Sequence, residues 1–214
     1  MFLFKSLKDD INLIENFKNN GKILDIGAGR GDLLFNFNNS WEKWAYDPYL
    51  SNKEIVLLKH KIGTHVNDYM TLDKYPIKYF DVLVLRNVIE HTKYFDELIK
   101  TSSKLLRKGG YIFIRTPNTN SIDFKIFKNE WWVVNMSGHI SFFSPDSIDL
   151  LLTKHGLTKD IIIPDRYSSP LSLYRSKSKS PGKIRKIIVS ALFSLLSPHL
   201  GEGGDMVAVY HTIS

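Results

Sequence analysis

The 214-residue chain contains no cysteine. That excludes disulfides, thiolate zinc sites, iron–sulfur clusters and a cysteine nucleophile together. Acidic residues are in the minority: 22 Asp and Glu stand against 29 Lys and Arg, a formal net charge of +7. Such a balance suits nucleic acid, an anionic membrane surface or an acidic substrate, and does not by itself choose among them. Long hydrophobic runs are scarce at the start. The opening MFLFKSLKDD meets Asp9 and Asp10 before any extended apolar core, so neither a signal peptide nor a membrane span is expected there. The expected setting is the cytoplasm. Internal repeats are absent too, and with 43% hydrophobic residues the chain is expected to form one domain over residues 1–214 around one core.

What is present alternates between strand and helix patterns. Leu7, Ile11 and Ile14 recur at helical spacing before Gly21, and the short apolar KILDIGA predicts a strand. A short helix over 33–37 leads to a second strand at KWAYD, a helix over 54–59 to a third at THVND. YFDVLVLRN, with its unbroken apolar run Val82 to Leu85, suits a central strand buried on both faces. A helix over 94–107 is expected to stop at KGG, with YIFIRTP as the strand after it. Ser144-Pro145 opens a further helix that Gly156 ends, DIIIP reads as the sixth strand and DMVAVYHTI as the last. The pattern predicts an α/β, Rossmann-like, doubly wound and largely parallel sheet.

The stretch KILDIGAGRGDLL places three glycines at alternate positions straight after the first strand. Dinucleotide binding needs glycine at the first, third and sixth positions; counted from Gly27, the sixth is Asp32, so that spacing fails. Asp25-x-Gly27-x-Gly29-x-Gly31 instead resembles the first motif of class I S-adenosylmethionine-dependent methyltransferases. In physical terms the glycines let the backbone turn tightly and approach a ligand, and a carboxylate such as Asp25 can receive an ammonium group. A plain glycine-rich strand-to-helix turn is the alternative.

Asp47 in WAYDP lies twenty residues after Gly27, an interval at which nucleotide-binding α/β sheets use an acidic residue to accept from ribose hydroxyls. A solvated turn aspartate before Pro48 is the bland counterpart. Further motifs continue the resemblance: VNDYM places Asp68 and Tyr69 at the adenine side, and FDVLVLRNVIEHT places Arg86, Asn87 and Val88 in the loop after the fourth strand. Asp68 reads almost as readily as an ordinary turn residue. The resemblance implies a seven-stranded, mostly parallel sheet with an antiparallel last strand. It also implies S-adenosylmethionine as methyl donor, S-adenosylhomocysteine as product, no metal, and a donor site of Asp25, Gly27, Ala28, Gly29, Gly31, Asp47, Pro48, Asp68, Tyr69, Arg86, Asn87 and Val88.

The segment WWVVNMSGHISFFSPDSIDLLLTKHG resembles a subgroup of that family, and its place after the fifth strand is the carboxyl edge where such sheets bind ligands. His91, Asn118, Trp131, Trp132 and Phe142 are expected to face the acceptor, although aromatics also serve as plain core. His139 is the candidate base, since an imidazole of near-neutral pKa can take the acceptor's proton; a structural histidine is the alternative.

A small-molecule, glycan or lipid-linked acceptor is expected first. Nucleic acid ranks below it, because cysteine attack on a pyrimidine is excluded and no Asn-Pro-Pro-aromatic tetrad follows the fourth strand. An RNA methyltransferase and a non-catalytic donor-binding module stay open. Residues 167–204 form a basic and amphipathic insertion before the last strand, where Ile184, Ile187, Ile188, Ala191, Leu192, Leu195 and Leu196 share one helical face. A lid, a subunit contact, ordinary packing, or peripheral contact with an anionic membrane at its inner face all fit that pattern.

Overall fold

The computed structural model describes residues 7–62, 65–66, 71–164, 188 and 204–213. Seven strands run in the order β3-β2-β1-β4-β5-β7-β6: β1 Gly21–Ile26, β2 Trp41–Tyr46, β3 His65–Val66, β4 Phe80–Arg86, β5 Leu106–Pro117, β6 Leu157–Pro164 and β7 Asp205–Thr212. All neighbours pair in parallel as far as β5, and β7 runs antiparallel to both β5 and β6. The doubly wound, mixed sheet is as the sequence predicts.

Both faces are covered because successive residues of the central strands point to opposite sides. Leu24, Ile26, Leu83 and Leu85 pack in one cluster with Ile99 and Leu105 of α4 (Phe95–Leu105) and Ile148, Leu151 and Leu152 of α6 (Pro145–Lys154). Ile23, Val82 and Val84 face the other way, toward Ile11 and Ile14 of α1 (Leu7–Phe17), Leu33 and Leu34 of α2 (Asp32–Phe35) and Leu58 of α3 (Asn52–Ile62). α6 starts where Ser144-Pro145 predicts: the Ser144 and Ser147 hydroxyls each accept the other's backbone N–H, a capping box with proline in the first turn.

Several elements depart from the sequence reading. The Lys108-Gly109-Gly110 segment is not a turn between helix and strand but an irregularity inside β5. Phe80 pairs with Leu106 and Val82 with Tyr111, so three residues of β4 face six of β5. Gly110 is squeezed there: a Cβ would stand 2.9 Å from the Arg107 carbonyl oxygen and 3.0 Å from that of Phe80. The third strand is only two residues long among the described ones. A short helix, α5 (Ile122–Phe127), was not anticipated; its cap is Ser121, whose hydroxyl accepts from Phe124 N–H at 3.1 Å. The insertion's amphipathic stripe lies outside the described residues. Among those described, no helix is long and apolar enough to cross a membrane.

One buried ion cluster ties α1 to the carboxyl ends of β4 and β5. Asp10, fully buried, accepts from Arg115 Nη2 at 2.7 Å and Nε at 3.0–3.1 Å, and from Arg86 Nε at 2.9 Å. Those strand ends are where the site is built.

Candidate active site

A cavity of about 810 Å³ opens at the carboxyl edge between β1, β2 and β4. It lies within the roughly 300–1,000 Å³ span of small-molecule sites. Gly27, Asp47, Pro48, Asn87, Val88 and His91 all line it.

On one side the wall is the turn after β1. Gly27, Gly29 and Gly31 all have positive φ (79°, 50° and 71°), which non-glycine residues rarely adopt. Gly27 is constrained twice, because a Cβ there would come within 2.4 Å of Val88 Cγ2. The turn is sewn to β2: Gly27 N–H donates to the Tyr46 carbonyl at 2.7 Å, Ala28 N–H to the same oxygen at 3.2 Å, and Gly29 N–H to Asp47 Oδ2 at 3.0 Å. Asp47 Oδ1 accepts from Tyr49 N–H at 3.0 Å. Asp47 thus organises the loop and lines the cavity. Ala28, Gly29 and Gly31 shape the turn without lining the cavity. Asp25, only 4% exposed at the end of β1, has its pKa pushed up to about 8, mainly by burial; Arg86 opposes the shift and Asp47 adds to it. Asp25 lies beneath the turn and is not itself among the residues that line the cavity.

The opposite side is assembled from two segments far apart in sequence. The 3₁₀ turn Ile89–His91 follows β4, and the loop ahead of α6 is zipped onto it. Ile140 and Ser141 N–H donate to the Glu90 carbonyl at 2.9 and 3.1 Å, and the Ser141 hydroxyl to the Thr92 carbonyl at 2.8 Å. His91 and His139 meet edge to face with ring centroids 4.7 Å apart. His91 lines the cavity, whereas His139 stands behind it, half-buried. Burial and the neighbouring His91 hold the His139 pKa below the usual imidazole range, against a hydrogen bond that its ring donates to the Val133 backbone carbonyl.

Other predicted residues are placed elsewhere. The Arg86 side chain turns away to Asp10, and Arg86 does not line the cavity; Asn87 and Val88 do. Asn118 is buried and bonds the end of β5 to the start of β7, its N–H donating to the Gly204 carbonyl at 2.8 Å. Trp131 is buried in a separate cluster with Phe127 and Val133, against which Trp132 and Phe142 pack; none of these three aromatics reaches the cavity, and core packing is the reading that fits them. Asp68 and Tyr69 lie outside the described residues. At the neighbouring position Leu72 and Asp73 line the cavity.

The sequence reading missed Tyr94, Glu97, Leu98 and Thr101, which line the cavity from the first half of α4 and its approach. Their spacing i, i+3, i+4, i+7 was the available signal, since it puts all four on one helical face.

A profile described as "Methyltransferase domain" matches residues 2–160. The chain belongs to the S-adenosylmethionine-dependent methyltransferases. The chain is 31% identical over 125 residues to "Ubiquinone biosynthesis O-methyltransferase" of Pelagibacter ubique (strain HTCC1062), covering 50% of each chain. It therefore spans about half the length of that curated relative. In structure it resembles a SAM-dependent methyltransferase from Archaeoglobus fulgidus, with TM-score 0.67, 20% identity, and 96% of this chain against 92% of the other. Phosphoethanolamine N-methyltransferase 2 of Haemonchus contortus, solved with S-adenosyl-L-methionine, shares the fold with TM-score 0.61 and 17% identity, over 97% of this chain and 53% of that one.

Proposed function

We propose that the protein transfers a methyl group from S-adenosylmethionine to a hydroxyl or amine of a small-molecule, glycan or lipid-linked acceptor. The observation that carries this is one cavity whose two walls are chemically different: the glycine turn with Asp47 on one side, His91 backed by His139 on the other. The name of the Pelagibacter relative supports a small hydroxylated acceptor.

The bound donor would supply an electrophilic methyl on a sulfonium, a good leaving group. The chain's part is placement, which is worth on the order of 7–11 kcal/mol in well-oriented reactions. Asp47 accepts from ribose hydroxyls and Asp25 pairs with the α-ammonium, while Gly27 lets the backbone close in. An acceptor seated between Tyr94 and His91 would reach the donor at the centre of the cavity. The sequence reading gives its proton to His139. Because His91 forms the wall and His139 backs it, the pair together is assigned that proton, His91 meeting the acceptor and His139 holding its ring.

The test is turnover: purified protein, isotopically labelled methyl donor, and a panel of phenols, amines and sugar or lipid-linked hydroxyl compounds. Labelled product with any of them supports the reading. Tight donor binding with no transfer to any class would favour the regulatory module, and transfer to RNA alone would overturn the small-acceptor reading.

A further inference from the structure

At and behind the His91 wall of the cavity three side chains meet, of which His91 alone lines it, and the methyl transfer described above does not use their combination. Glu90 and His91 come from the 3₁₀ turn after β4, His139 from the loop before α6, and one potential ligand atom of each lies within 4.8 Å of the others. Each is set up in a way that favours a ligand. His91 Nδ1 is 3.0 Å from the Gly138 carbonyl oxygen. That oxygen only accepts, so Nδ1 carries the proton and Nε2 keeps its lone pair. His139 Nδ1 is buried and has no hydrogen-bond partner among the described residues. Glu90 is fully buried; Oε1 accepts from Asn87 Nδ2 at 3.2 Å and Oε2 from Thr116 Oγ1 at 3.0 Å. Those bonds, with one from its own backbone N–H, orient the carboxylate as the supporting contacts around metal ligands do, and of its roughly four lone-pair sites one stays for a cation.

We propose that Glu90, His91 and His139 bind a divalent first-row transition cation, with its open positions turned to the cavity. Two imidazoles and one carboxylate favour zinc, cobalt or their neighbours over magnesium, which prefers an all-oxygen shell. Ligand bonds of about 2.0–2.2 Å put tetrahedral donor atoms roughly 3.4 Å apart, so a closing movement of about an ångström between the side chains completes the site. Gly138 keeps the loop near enough: its φ is 92°, and a Cβ would stand 3.2 Å from His91 Nδ1.

The proposal rests on reading this cavity as the acceptor site, and it moves the two histidines from taking the proton to holding the cation. What the cation activates is the acceptor. Ligation lowers the pKa of an acceptor hydroxyl, its proton leaves to water, and its oxygen attacks the methyl carbon as the C–S bond breaks and the C–O bond forms. The favoured acceptor is then an alcohol or phenol and not an amine.

The experiment uses tag-free, chelator-treated protein titrated with Co²⁺, followed by visible absorption and by calorimetry. One equivalent binds with d–d bands, and Zn²⁺ displaces it. His91→Asn and His139→Asn each weaken Co²⁺ binding at least about tenfold, in protein whose melting transition shows that it is folded. No visible bands at millimolar Co²⁺, or binding unchanged in the folded double variant, overturns the proposal. S-adenosylhomocysteine is titrated into the same wild-type sample. Co²⁺ binding without it leaves the cation site standing and removes the methyl-transfer reading of the cavity.

Discussion

The two walls of the cavity are built by different means. The donor wall is a local device: residues 25–31 turn on three positive-φ glycines and are fastened to the adjacent strand by backbone hydrogen bonds and by Asp47. The acceptor wall is a long-range one, in which residues 138–141 are laid on residues 90–92 across nearly fifty positions of sequence. A local device fixes where one ligand sits. A loop zipped on from a distance can be rebuilt around a different acceptor without disturbing the first wall.

Both walls stand on the Asp10 cluster, so the largest expected effect comes from there. Asp10→Asn removes the closest counter-charge of buried Arg115, leaving Asp205 at 3.6 Å, and should lower the unfolding free energy by up to about 3–5 kcal/mol, measured by urea denaturation. A loss under about 1 kcal/mol, the level of an exposed pair, would show that α1 is not the common support of the two walls.

Asp47→Ala separates the walls next. It removes a charged acceptor and should weaken S-adenosylhomocysteine binding by about 1.5–3 kcal/mol, roughly ten- to hundredfold, by calorimetry. Unchanged affinity in folded protein would undo the donor wall as described.

The donor wall was legible in sequence because each of its features demands a residue type. Positive φ at Gly27 and the 2.4 Å approach of Val88 admit only glycine, and the reach from β2 to the turn calls for an acid at position 47. The fold was legible for a similar reason: apolar runs such as Val82 to Leu85 make sense only between two covered faces. The acceptor wall was not. Nothing local distinguishes Trp131 in a satellite core from Trp131 beside a ligand, or His139 on the wall from His139 behind it; long-range register decides. The double glycine at 109–110 misled for the opposite reason, because glycines that end a helix also permit an irregular strand.

Asp25 carries a pH prediction of the next size. Burial raises its pKa to about 8, so its contribution to stability is complete below about pH 4, the unfolded value, and is lost as pH rises through 8. An ammonium beside it favours the ionised form, so donor binding near pH 7 should release a proton. Affinity should then rise by up to about tenfold per unit between roughly pH 6 and 8. Calorimetry in two buffers of different ionisation enthalpy reads the proton directly, and no release would separate Asp25 from the ammonium.

The smallest effect belongs to the zip. Ser141→Ala removes one hydrogen bond to Thr92, about 0.5–1.5 kcal/mol, and should raise the acceptor KM severalfold while donor affinity stays the same. Equal changes in both would mean that the walls are not independent.

The central claim is that the two walls serve two ligands in one cavity. A crystal structure with S-adenosylhomocysteine tests it most directly: the account predicts ribose hydroxyls on Asp47, the α-ammonium at Asp25 and the sulfur turned toward His91. Clear density for the ligand with its sulfur facing away from His91, or bound outside this cavity, would contradict it.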